Sequence, residues 1–204
     1  TVFCEEPRPA YDRVQLTGFF AGKDLKLVEE GFFQTARATL RLSDPVLSID
    51  PARKIVRSTR YKAVPYDKLV FATGSYPFVP TLPGKDRRDC FVYRTIEDLE
   101  AIAAAAQTAR VGAVIGGGLL GLEAANALRN LGLETHVVEF APRLMALQLD
   151  DVGGALLRQK VEALGVRVHT GKNTRSITTD ADGAVTGLAF AEGEALAVDL
   201  VVFS

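Results

Sequence analysis

The chain has 204 residues, 48% of them apolar, which is enough to bury a core in one large domain or two small ones. Its 24 Lys and Arg balance 25 Asp and Glu to a net charge of −1, and the cations are scattered rather than gathered into the basic stripe of a nucleic-acid footprint. No apolar run approaches the roughly 20 residues that cross a bilayer, and no signal peptide is visible.

The opening "TVFCEE" reads as a short buried strand over 1–4. A lone strand cannot begin a parallel sheet, and the chain stops on another strand-like run, "DLVVFS". A segment of a longer protein is therefore expected. Residues 7–18 are Pro-punctuated and irregular. "LKLVEEGFFQTA" (25–36) has the apolar spacing of a helix face, weakened by Gly31. Short alternating runs follow at 38–42, 46–50 and 54–58, the last two joined by a Pro-containing turn as a hairpin. "YDKLVFATGS" (66–75) reads as a continuous apolar strand, and "YPFVPTLPG" (76–84) as a Pro-rich connection at a domain boundary.

A second unit is predicted after it. "TIEDLEAIAAAAQTA" (95–109) is a helix that Thr95 can cap, with Asp98 placed for a capping box. "VGAVI" (111–115) is a strand, 118–130 a helix stopped by Gly132, and "ETHVVEF" (134–140) a strand. Residues 150–164 form a helix stopped by Gly165, and "VRVHT" (166–170) another strand. Three or four short strands close the sequence, with a turn at Asp182-Gly183. The alternation predicts an α/β fold: a Rossmann-like parallel sheet with a β-meander over 85–204, with helices on both faces of the sheet.

The motif that carries chemistry is "GGGLLG", with Gly116, Gly118 and Gly121 between a predicted strand and helix. Gly116 can make the tight turn, Gly118 admits a pyrophosphate to the backbone, and Gly121 lets helix and strand pack closely. The helix points its first N–H groups, those of Leu119 and Leu120 among them, at the anion. The confirming acid belongs about 20 residues on, and Glu139 stands there, able to bind a ribose diol and repel a 2′-phosphate. Arg143 leaves NADPH open beside NADH. Glu123, in "GLEAA", is either a solvated helix acid or part of the site. The apolar run of "DKLVFATGS" ends in Ala72, Thr73 and Gly74, small enough to let a flavin nucleotide approach. Cys4 and Cys90 are far apart and form no C-x-x-C pair, so neither a disulfide scaffold nor a dithiol centre is expected, and a reducing cytoplasm is the default compartment. His136 and His169 lie in strands and read as structural.

"CEEPRPAYDRVQL", "YDKLVFATGSYPFVP", "CFVYRTIEDL" and "VIGGGLLGLEAANALRNLGLETHVVEFAPRLM" together resemble the two-dinucleotide flavoprotein reductases, a group that takes in ferredoxin and rubredoxin reductases and NADH oxidases. They are most similar to the FAD/NAD-binding region of the large subunits of bacterial NAD(P)H-dependent nitrite reductases. The resemblance covers essentially the whole chain. It implies a partial FAD-binding domain over 1–84 that lacks its first glycine turn, and an NAD(P)H-binding domain over 85–204. It implies that Glu5 or Glu6 holds the FAD ribose, and that Arg13, Thr73, Gly74 and Arg94 contact FAD. NADH or NADPH then rests on Gly116, Gly118, Leu119, Leu120 and Gly121, with Glu139 on its ribose and Glu123 beside the nicotinamide. Many relatives carry a Lys where Gly18 stands here, and FAD affinity is expected to be poor.

The implied chemistry is hydride transfer from the nicotinamide to the flavin, which passes electrons singly to an iron–sulfur cluster and sirohaem held outside this chain. No nucleophile, general base or metal ligand is expected here, and no nucleic acid or membrane partner. A nitrite reductase small subunit is a possible partner. The rivals are a ferredoxin or rubredoxin reductase or NADH oxidase of the same group, and a non-catalytic NADH-binding module.

Overall fold

The computed structural model describes residues 1–204. They fall into two compact units, Thr1–Gln15 with Asp24–Ser75, and Leu16–Lys23 with Tyr76–Ser204.

In the first unit β1 (Val2–Phe3) pairs in parallel with β2 (Leu40–Arg41). β3 (Val46–Asp50), β4 (Ile55–Ser58) and β5 (Val64–Pro65) make an antiparallel sheet, so the predicted hairpin is present. The enclosed carboxylate of Asp44 accepts from the Thr59 hydroxyl at 2.8 Å and the Arg60 N–H at 3.1 Å, which closes the hairpin at its open end.

Three expectations fail in this unit. The opening strand is two residues long and not buried, with Val2 44% exposed, because only β2 lies beside it. The helix predicted over 25–36 is reduced to the single turn α1 (Phe32–Thr35). Gly31 takes φ +86°, a left-handed conformation that ends any helix arriving from before it, and Lys26 instead bridges Tyr11. Residues 66–75 form no strand, and Val70 and Phe71 are 84% and 69% exposed. An apolar run becomes a strand only when a neighbour accepts its backbone bonds, and β1–β5 offer it no ladder.

The second unit is the α/β fold predicted. β6 (Cys90–Val92), α2 (Ile96–Ala105), β7 (Val111–Ile115), α3 (Leu119–Asn130), β8 (Glu134–Val138), α4 (Asp151–Ala163) and β9 (Val166–His169) alternate along the chain. They are followed by a meander of β10 (Thr174–Thr179), β11 (Val185–Phe190) and β12 (Leu196–Ala197), then β13 (Leu200–Phe203). The parallel sheet has the order β6-β13-β7-β8-β9. The Asp199 carboxylate accepts from the N–H groups of Arg110 and Val111 at 2.8 and 2.9 Å, which sets β13 level with β7.

Local signals explain the helices. Thr95 accepts from the Asp98 N–H at 3.2 Å while the Asp98 carboxylate accepts from the Thr95 N–H at 2.8 Å, a complete capping box. Asp150 caps α4 by accepting from the Gly153 N–H at 2.8 Å. Each of β6, β7 and β8 steps the same way across the sheet to the next, so right-handed crossovers put α2, α3 and α4 on one face. The other face is covered by the meander, where Ile177, Val185 and Leu188 pack on Ala113, Val201 and Phe203. This corrects the expectation of helices on both faces. Side chains alternate along a strand, so Gly112 turns to the helical face, where an added Cβ would lie 2.9 Å from Leu128 Cδ1 of α3.

Candidate dinucleotide site

The site forms at the carboxyl ends of β7 and β8, adjacent in the sheet with Ile115 beside Val138. The Gly116 N–H donates to the Val138 carbonyl at 2.9 Å, so the glycine turn starts beside Glu139. Gly116 has φ +129°, and a Cβ there would lie 2.2 Å from the Ser204 carbonyl oxygen. A Cβ on Gly121 would lie 2.1 Å from the Gly116 carbonyl oxygen, so α3 rests directly on the turn. A Cβ on Gly118 meets nothing within 4 Å. The three glycines thus have different reasons: conformation, helix packing, and open space above the backbone.

That open space lies over the first turn of α3. No side chain caps the helix, and its first backbone bond runs from the Leu122 N–H to the Gly118 carbonyl at 3.0 Å. The N–H groups before it have no partner within the helix. Leu119 and Leu120, 61% and 55% exposed, contribute backbone rather than packing. Glu139 is held rigidly: one carboxylate oxygen accepts from the Gly117 N–H at 2.5 Å, the other from the Ala141 N–H at 2.7 Å. Gly117 was not singled out in the sequence. A Cβ on it would lie 2.8 Å from the Glu139 carboxylate, and the signal was the third glycine of "GGG", where the motif needs two. A cavity of about 450 Å³ opens beside the turn, lined by Gly116, Glu139, Phe140, Lys172 and Phe78 among others, a volume suited to a small-molecule ligand.

Arg143 is engaged elsewhere. It donates to the Leu149 carbonyl at 2.8 Å, the Ala146 carbonyl at 3.3 Å and the Asp151 carboxylate at 2.8 Å, and so ties the 143–151 loop to the start of α4. Glu123 lies on α3, half-buried, beside Thr17. Burial pushes its carboxyl above the ordinary value, and the Thr17 hydroxyl works against that. Tyr93, buried directly after β6, donates to the Thr17 hydroxyl at 2.9 Å. Arg94 is half-buried, and its N–H donates to the Asp98 carboxylate at 3.2 Å. A Cβ on Gly18 would lie 3.0 Å from Lys23 Cδ, so the stem of Lys23 covers that position.

In the first unit Glu6 and Arg13 come together. They form an ion pair, Arg13 also donates to the Tyr11 hydroxyl at 2.9 Å, and that hydroxyl donates to Glu6 at 2.7 Å. Glu5 is exposed, as are Thr73 and Gly74 in the unpaired 66–75 segment. His136 and His169 are hydrogen-bonded to one another at 2.9 Å across β8 and β9, with Glu134 on the far nitrogen of His136 at 3.1 Å. Burial lowers the pKa of both rings.

A parallel sheet, a glycine turn running into an uncapped helix, and an acid fixed at the end of the next strand define a Rossmann-type dinucleotide-binding unit. The pyridine nucleotide-disulphide oxidoreductase family matches residues 8–204, and the chain belongs to it. Over its full length the chain is 53% identical to the nitrite reductase (NADH) large subunit of Escherichia coli and 58% identical to the nitrite reductase [NAD(P)H] large subunit of Klebsiella oxytoca. It spans 24% and 21% of those two proteins. Among solved structures it matches the ferredoxin reductase for the CYP199A2 system of Rhodopseudomonas palustris, with TM-score 0.91 and 30% identity over 99% of this chain and 51% of that one. The fold also matches a water-forming NADH oxidase from Lactobacillus brevis, with TM-score 0.86 and 24% identity over 98% of this chain and 46% of that one. Rubredoxin reductases are more distant, at 32% identity for that of Ectopseudomonas oleovorans.

Proposed function

We propose that these residues are the electron-input region of an NAD(P)H-dependent nitrite reductase, acting in the cytoplasm. The observation that carries the reading is the Glu139 carboxylate, pinned by two backbone N–H groups beside an open, uncapped helix N-terminus. The chain's similarity to nitrite reductase large subunits supplies the reaction. NADH fits the residues present. The first turn of α3 takes the pyrophosphate over Gly118, with backbone N–H from Leu119, Leu120 and Gly121. Glu139 takes the adenosine ribose diol and opposes a 2′-phosphate, and the cation nearest in sequence that would offset this, Arg143, is already bound within its own loop. NADH is therefore the preferred donor over NADPH.

FAD fits less fully. Glu6 would hold its ribose and Arg13 its phosphates, with Thr73, Gly74 and Arg94 as further contacts, but Glu6 and Arg13 are paired with each other and the one G-x-G-x-x-G of these residues serves the other nucleotide. Residues 1–84 are the FAD-binding part and 85–204 the NAD-binding part on this reading. Flavin supplies the conversion of a two-electron hydride into single electrons. An iron–sulfur cluster takes four ligands and the chain has two cysteines, so these residues do not hold the cluster or the sirohaem, and no step is derived through them. A nitrite reductase small subunit is the proposed partner.

The test is the visible spectrum of the full-length protein before and after anaerobic addition of NADH. Flavin and sirohaem bands that both respond support the reading. Flavin bands alone would leave a ferredoxin-type reductase or an oxidase, and no chromophore would leave a nucleotide-binding module.

A further inference from the structure

The cavity beside the glycine turn has a polar wall. Glu139 begins it, and Lys172, Asn173 and Thr174 continue it. Backbone bonds lock the two parts of that wall together. The Glu139 N–H donates to the His169 carbonyl at 2.8 Å, the Gly171 N–H to the Ala141 carbonyl at 2.8 Å, and the Lys172 N–H to the Glu139 carbonyl at 3.0 Å. Lys172 is thus joined by backbone directly to the acid that receives the adenosine ribose.

The cations of this region differ in what they already hold. Residues 134–172 contain three arginines, and each is committed to an acid: Arg143 to Asp151 at 2.8 Å, Arg158 to Glu162 at 2.8 Å and Arg167 to Glu134 at 2.7 Å. Lys172 pairs with no carboxylate. Its ammonium lies over the Phe190 ring, 5.4 Å from the centroid, and bare backbone at Gly193 leaves it room, since a Cβ there would lie 3.1 Å from Nζ. A contact with a ring face is weaker than a charge-assisted hydrogen bond, so an anion in the cavity draws the ammonium away from Phe190. Thr174 gives a second sign of a ligand. Its side-chain oxygen is buried without a partner, where buried polar atoms are nearly always bonded.

We propose that Lys172 is a specificity-determining residue that admits a 2′-phosphate to this site, so that NADPH is a working donor, weaker than NADH. This rests on the proposed function above. The adenosine ribose held by Glu139 brings its 2′ carbon to the polar wall. On NADH that carbon carries a hydroxyl, which the carboxylate accepts. On NADPH it carries a phosphate, which the carboxylate repels and the Lys172 ammonium attracts. A lysine meets phosphate as a point charge on a flexible stem and needs no preset fork geometry. NADH offers the ammonium no such group, so Lys172 acts on one of the two affinities, and selectivity is their difference.

The test is calorimetric titration of the full-length protein with ADP-ribose and with 2′-phospho-ADP-ribose. The two differ by the 2′-phosphate alone and carry no nicotinamide. Wild type is expected to bind both, the phosphorylated ligand more weakly. Lys172→Met keeps an unbranched stem and removes the charge. It is expected to weaken the phosphorylated ligand about tenfold further and to leave ADP-ribose within about twofold, while Lys172→Arg stays close to wild type. High salt should narrow the difference between wild type and Lys172→Met. A Lys172→Met protein with the wild-type ratio of affinities overturns the proposal. So does a wild-type protein that binds ADP-ribose and not its 2′-phosphate. Binding of both ligands without reduction of the flavin by NADH overturns the proposed function and leaves the Lys172 result standing, whereas binding of neither overturns both.

Discussion

Two glycines three residues apart predict opposite consequences from the same substitution. In Gly121→Ala the new methyl group arrives 2.1 Å from the Gly116 carbonyl oxygen. That oxygen is backbone in a turn held by the Gly116 N–H bond to Val138, so it cannot swing aside as a side chain would. Overpacking of this kind costs about 1–3 kcal/mol, and a rigid neighbour puts the cost at the upper end. Ala gains up to about 1 kcal/mol over Gly inside a helix, which leaves a net loss of about 2 kcal/mol. In Gly118→Ala the methyl group meets nothing within 4 Å, and φ −81° with ψ −175° is extended backbone open to any residue. Ala is a poorer N-cap than Gly by a few tenths to about 1 kcal/mol, but the unfolded chain loses about 0.4–1 kcal/mol of conformational freedom, so stability is nearly unchanged. The same methyl group stands where a pyrophosphate must approach, and NADH affinity should fall at least about tenfold, the equivalent of about 1.4 kcal/mol. Thermal unfolding by circular dichroism and NADH titration of both variants make the check. A Gly121→Ala protein as stable as wild type refutes the packing argument, and a Gly118→Ala protein that binds NADH normally refutes the placement of the pyrophosphate.

Removing the acid in Glu139→Ala should weaken NADH about tenfold or more, the loss of hydrogen bonds to a charged group, and narrow the gap between NADH and NADPH in competitive titrations. Arg143→Ala should leave that gap unchanged, because its guanidinium serves the 143–151 loop. His136 and His169 are held neutral, their pKa values lowered first by burial; at His136 Glu134 offsets this and Arg167 adds to it, while at His169 the His136 ring, Lys172, Arg158 and Arg167 all oppose a proton. The unfolded chain takes up protons below the ordinary value of 6.5 while the folded chain does not, so stability should fall as pH drops through 6.5. Denaturant midpoints measured across that range should show the slope, and His169→Gln should reduce it. Burial pushes the Cys90 thiol up to about 11, which leaves on the order of one thiolate in a thousand at about pH 8. Iodoacetamide labelling of the folded protein should therefore find Cys90 nearly inert.

The second unit was legible because its signals are local and agree with one another. Thr95 and Asp98 cap α2, and glycines stand just past the ends of α3 and α4, as their spacing requires. Glu139 was found by counting from the glycine turn, since β7, α3 and β8 have nearly fixed lengths in a nucleotide-binding crossover. What counting could not show is the hydrogen bond from Gly117 to Glu139, since it joins two strand ends 22 residues apart. The strand β6 was missed because three residues, Cys90–Val92, carry no periodicity; it exists through β13, whose Val201 and Val202 pair with it from more than a hundred residues later.

The failure at 66–75 has the same physical origin with the opposite sign. "LVFATG" is as apolar as β13, "LVVF", and by composition both read as buried parallel strands. β13 is buried on both faces and bonded on both edges, by β6 and β7. In residues 66–75 the Tyr66 N–H donates to the Lys54 carbonyl at 3.0 Å, no strand pairs with the segment, and Val70 and Phe71 are left in solvent. Apolar composition fixes what a segment gains by burial, at roughly 25 cal/mol per Å² of apolar surface, but only a neighbouring strand can satisfy its N–H and C=O groups. A strand of this kind is therefore a property of the sheet and not of the segment, and reading one from a sequence is an assertion about partners that the segment itself does not contain.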